Sequence, residues 1–157
     1  MRERGGENKN KNKERRRGQS LVEVVVGVGV GALVLGALMN AMITAHRAVE
    51  YAQNKSKAAR YAQEALEWVR ARRDLDGWVS FVDQATGTYC LNEELGLGVE
   101  FSSLPHNSCS DYSLEETFKR EVQFFGGGDS VRAEARVSWQ GRRGELAVVA
   151  ETQLAKW

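Results

Sequence analysis

RGQSLVEVVVGVGVGALVLGALMNAM, residues Arg17 to Met42, holds an apolar run: Val24 to Met39 has no polar side chain, and only Asn40 interrupts it before Ile43. Counted from Leu21, the segment reaches the ~20 residues that a helix needs to cross a bilayer core. The tract before it is basic, with eight Lys or Arg against three Glu in residues 1–17. The positive-inside bias therefore places the N-terminus in the cytoplasm and residues beyond about 45 outside it. The tract has no side chains to build a core, so residues 1–18 are expected to be disordered.

The rest of the composition narrows the possibilities. The 157 residues carry 22 basic and 21 acidic side chains, which argues against a polyanion binder. No basic-aromatic stripe in the C-terminal part makes nucleic acid a default partner. One proline and no fixed-period repeat argue against low-complexity and solenoid architectures. Gly27-x-Gly29-x-x-Ala32, with Glu50 following, has the outline of a dinucleotide fingerprint. That reading fails because the segment stays apolar on every side, and no alternation of strands and helices follows to build a parallel sheet.

Two features set the segment apart from a plain anchor. Gly27, Gly29, Gly31 and Gly36 lie inside it, and Gly27 and Gly31 have the spacing that lets membrane helices approach closely. Glu23 lies near its start. A carboxylate at the centre of a membrane helix costs ~2.5–3.5 kcal/mol, less near the end, and an intramembrane charge calls for a partner.

A basic leader ending in Gly18, then Gln19-Ser-Leu-Val-Glu23 and a long apolar run, resembles the N-terminus of the type IV pilin-like superfamily. The resemblance implies cleavage between Gly18 and Gln19 by a membrane-embedded prepilin peptidase and N-methylation of Gln19. It also implies pairing of Glu23 with the N-terminal ammonium of an adjacent subunit, so that cleavage itself creates the missing counter-charge. Ala62 to Trp78 is similar to the end of the long helix in minor pilins and pseudopilins, and Arg136 to Trp157 to their closing hairpin. Gln19 stands where an aromatic residue or methionine is usual, and Asn40 where major pilins often have a helix-breaking proline. Both departures point to a minor subunit. The implied partners are the inner membrane, the peptidase, other pilin or pseudopilin subunits and an assembly platform, with no cofactor.

Beyond the membrane the helical period continues. Val49, Ala52, Ser56, Ala59, Ala62, Leu66 and Val69 recur at steps of three and four, a small-to-apolar stripe that predicts a helix from about 20 to 74, ~80 Å long. Gly77 is a plausible stop. After it the period becomes two. Phe118, Arg120, Val122 and Phe124 suggest one strand, Val131 to Trp139 a second, and Leu146 onward a third after the turn Gln140 to Gly144. The expected fold is α+β: a long N-terminal helix packed on a small antiparallel sheet. It divides into a leader (1–18), a transmembrane half-helix (19–45), an amphipathic half-helix (46–76) and a head (77–157).

A head of this size benefits from a staple. Cys90 and Cys109 lie outside the cytoplasm in this topology, where disulfides persist, and closing a loop of this length contributes roughly 3 kcal/mol. Two free thiols are the alternative, and the pair with His106 lacks the spacing of a zinc site. No catalytic constellation accompanies His46 or His106. The expectation is a structural subunit and not an enzyme. An uncleaved, single-pass anchored binding module outside the cytoplasm is the competing reading, and a secreted protein cut beyond the apolar run is a third. Trp68, Trp78 and Trp139 are expected to anchor the core or an interface, and Trp157 to cap the sheet.

Overall fold

The computed structural model describes the backbone of Glu7–Trp157 and the side chains from Leu21 onward. Its first element, α1, spans Glu7–Asp76. It begins before the expected start, since residues 7–20 continue the helix; residues 1–6 lie outside the described residues. Lys, Arg and Glu are good helix formers, and extending an existing helix needs no new nucleus. At the other end Gly77 adopts φ +75°, a left-handed conformation that glycine takes at little cost. A short second helix, α2 (Trp78–Gln84), follows and buries Phe81.

The chain divides into two units, Met1–Val49 and Glu50–Trp157. In the first, every residue from Leu21 to Val49 is exposed. The helix there is long and apolar enough to cross a membrane. Near its end the Thr44 hydroxyl is satisfied within the helix, donating through Oγ1 to Asn40 O at 2.9 Å.

The second unit is α+β. Strands β1 (Gly87–Cys90), β2 (Phe118–Gly127), β3 (Ser130–Gly141) and β4 (Gly144–Ala155) form one antiparallel sheet in the order β1-β2-β3-β4. Alternation sets the faces: Phe118, Val122 and Phe124 on β2, and Val131, Ala133, Ala135, Val137 and Trp139 on β3, are buried. Two-residue turns fix the register, with Gly127 paired to Ser130 and Gly141 to Gly144. At Gly126 (φ +94°) a Cβ would stand 3.0 Å from Ser130 O, so the β2–β3 turn requires a glycine there.

The buried helix face differs from the expected stripe. Ala62, Leu66 and Val69 are buried, but Val49, Ala52, Ser56 and Ala59 are exposed. Ala58, Tyr61, Ala65 and Trp68 complete the packed face instead. The two rows are adjacent on the helix and both are rich in small residues, so spacing alone does not choose between them. The bulk of Tyr61 and Trp68 decides it: Tyr61 meets Phe118 with ring centroids 5.6 Å apart, and Trp68 meets Phe101 at 5.0 Å. Burying such rings contributes more than burying alanines. Phe81, Tyr89, Phe101 and Phe124 form an aromatic cluster beside them.

Candidate functional site

The exposed apolar stretch of α1 carries most of the residues singled out from the sequence. Glu23 is exposed on the helix surface and makes no ion pair among the described residues. Gly27, Gly29, Gly31 and Gly36 have open space around them, with no atom within 4 Å of an added Cβ. Gly18 and Gln19 fall within the span of α1, but their side chains lie outside the described residues. Leu21, Val24, Val28, Leu33, Leu35 and Met39 surround the helix with exposed hydrocarbon, Leu33 at 76% exposure. A run of this kind fits lipid or neighbouring helices in place of water.

Cys90 and Cys109 are joined by a disulfide across a sequence separation of 19. Cys90 closes β1, and Cys109 lies in the loop that returns to β2, where its N–H donates to Glu121 Oε1 at 2.8 Å. Together they tie the loop to the sheet. A disulfide fits a head that lies outside the cytoplasm.

Arg120 was legible only as one member of an alternating strand. It faces the core and is 1% exposed. Its Nε donates to Leu91 O at 2.7 Å and its Nη2 to Glu93 O at 2.8 Å. Nη1 stands 3.3 Å from Glu64 Oε2 on α1, a charge contact without hydrogen-bond geometry. Burial lowers the Arg120 pKa, and the Glu64 charge opposes that shift. The guanidinium thus links the segment after β1 to the helix. A charged residue in the inward phase of a strand was the available signal, because such a residue must find partners.

On the other face of the sheet, Glu145 accepts from Tyr112 Oη at 2.6 Å and pairs with Lys119 Nζ at 3.0 Å. The Tyr112 hydrogen bond first, then Lys119, hold the Glu145 carboxyl below its ordinary value.

The two histidines lie in different units of the chain. His46 is exposed on α1. His106 Nε2 lies 2.9 Å from Thr86 O, its ring stands edge-on to Tyr89, and a Cβ on Gly87 would come within 3.0 Å of it. It clips a loop onto β1. Trp157 does not cap the sheet as expected: it is 86% exposed, with the Arg73 guanidinium 4.6 Å from its ring.

What the arrangement offers is an exposed apolar helix surface joined in sequence to a stapled head. The chain matches no protein-family model, no curated protein and no solved structure.

Proposed function

We propose that this chain is a minor pilin-like or pseudopilin-like subunit. A prepilin peptidase removes the basic leader after Gly18, Gln19 becomes the N-methylated terminus, and Leu21–Ile43 hold the protein in the inner membrane. The N-terminus faces the cytoplasm and the head lies outside. The subunit then enters or primes a type IV pilus-like or type II secretion-like filament by way of its assembly platform. It acts by packing, not by catalysis.

One observation carries this reading. A single helix, α1, is exposed on all sides from Leu21 to Ile43 and apolar there except at Glu23 and Asn40, and its last turns are the core helix of an α+β head. An anchor needs only the first property, and a soluble head only the second. Their union in one helix suits a subunit whose helix is first solvated by lipid and then by its neighbours. Glu23 supports the same reading, because its counter-charge would come from the amine that cleavage creates on an adjacent copy.

The test uses Glu23→Ala and Glu23→Asp in cells that make the assembly machinery. Glu23→Ala is expected to insert and be cleaved but to enter filaments poorly, with partial recovery in Glu23→Asp. Incorporation of Glu23→Ala at the normal level would contradict the pairing.

A further inference from the structure

The two edges of the sheet are finished differently. β1 is partly covered on its free side, where Cys90 N–H donates to Pro105 O at 3.0 Å and His106 meets Thr86 O just before the strand. β4, at the other edge, pairs only with β3.

The bonding phase of β4 follows from one hydrogen bond. Lys156 N–H donates to Asp129 O, one step beyond the pair Ser130–Ala155. An antiparallel ladder bonds every second pair. Leu146, Val148, Ala150, Thr152 and Leu154 therefore bond to β3. Glu145, Ala147, Val149, Glu151 and Gln153 turn their N–H and C=O groups outward, where no backbone group meets them among the described residues.

Sheet edges are normally blunted by proline, lysine, a bulge or an inward charge. Between Gly144 and Ala155 there is no proline, lysine or arginine, and the register with β3 is unbroken. Val149 is 48% exposed at the middle of this edge.

Charge narrows what can lie there. Glu151 sits directly opposite Glu134 on β3, and neither forms an ion pair among the described residues. Like charges opposite each other destabilise a sheet. Glu145 differs, because Lys119 and Arg136 already face it. A second copy of β4 would bring two glutamates and no basic side chain, so it leaves Glu151 unmatched. The edge instead fits a strand that carries a cation.

We propose that the free edge of β4 is a docking strand for a partner protein. The partner adds an extended segment antiparallel to β4, with a basic side chain beside Glu151 and a β-branched apolar one beside Val149. This inference uses the head alone and is independent of leader cleavage and filament entry.

The probe is a labelled seven-residue peptide with lysine third, valine fifth and seventh, and threonine elsewhere, titrated against the full chain in detergent by fluorescence anisotropy. In the proposed register its odd-numbered amides bond to β4 and its even-numbered amides face away. N-methylation at the third and fifth amides is expected to abolish binding, and methylation at the second and fourth to leave it intact. Glu151→Lys is expected to weaken the lysine peptide and strengthen a glutamate-for-lysine peptide, each by about three- to tenfold. Glu151→Lys faces Glu134 with a cation, so its folding is not at risk; a melting temperature no lower than the parent chain's checks this. No binding at millimolar peptide, equal loss from both methylation patterns, or self-association through β4 that the peptide does not displace would each overturn the proposal.

Discussion

Leu33 and Leu66 belong to the same helix and have the same side chain, yet Leu33 is 76% exposed and Leu66 is 1% exposed. The difference lies in what surrounds them. Around Leu66 the helix turns its buried face into the core of the head, with Tyr61 against Phe118 and Trp68 against Phe101. Leu33 lies in the stretch of residues 21–49, every one of which is exposed. A helix can thus carry one part whose solvent is the head and another whose solvent must come from elsewhere. By length and composition the stretch is apolar enough for that solvent to be a membrane.

Substitutions in the two regions can break this comparison. Leu66→Ala removes buried hydrocarbon and leaves a cavity, which should destabilise the head by about 2–5 kcal/mol. Leu33→Ala should leave head unfolding unchanged in detergent. Equal shifts in thermal unfolding for the two would show that the helix is not divided as described.

Removal of the staple comes next. Cys90→Ser, which opens the disulfide to Cys109, should cost roughly 3 kcal/mol by the chain-entropy relation. Denaturant titration with and without a reductant checks it, and the variant should lose its sensitivity to the reductant.

Arg120→Met leaves the buried Leu91 carbonyl without its donor and removes the bond to the Glu93 carbonyl, with an expected loss of about 1–3 kcal/mol. Glu64→Gln should cost less, because the Glu64 side chain is 44% exposed and water can replace its contact. If Arg120→Met left stability unchanged, the guanidinium would not be what ties β2 to the segment after β1.

The smallest effect belongs to the acid limb of stability. Tyr112 and Lys119 lower the Glu145 pKa, so its ionised form adds stability above the unfolded carboxylate value of ~4.3. That contribution is lost as pH falls through the lower folded value. The stability gap between the parent chain and Glu145→Gln should therefore be present near neutral pH and should close in acid. A gap that stays constant or widens in acid would contradict the assignment.

The sequence exposed some of these features and hid others for physical reasons. The apolar run needs no tertiary context, because every side chain from Val24 to Met39 is apolar. Alternation made β2 and β3 visible, and Gly141 and Gly144 marked the turn between β3 and β4. β1 has only Gly87 to Cys90, too short for a period, and α2 has seven residues. The helix face was misplaced because Ala52, Ser56 and Ala59 have the right spacing, and nothing local tells a helix where its head begins. Arg120 sat in view within the alternation, but its partners on Leu91, Glu93 and Glu64 are distant in sequence. Trp157 has too few neighbours to cap anything and lies against Arg73. For the site, Gly18, Gln19 and Glu23 were legible as a motif. The chemistry proposed for them needs a cut and a second molecule, which no single chain contains.

The most direct test of the filament-subunit reading is the N-terminal mass of the protein extracted from membranes of cells that carry a prepilin peptidase. The prediction is a chain that begins at Gln19 and bears one added methyl group on its terminal amine. A chain that still begins with the basic leader in those cells would contradict it, and would leave an uncleaved anchored head in its place.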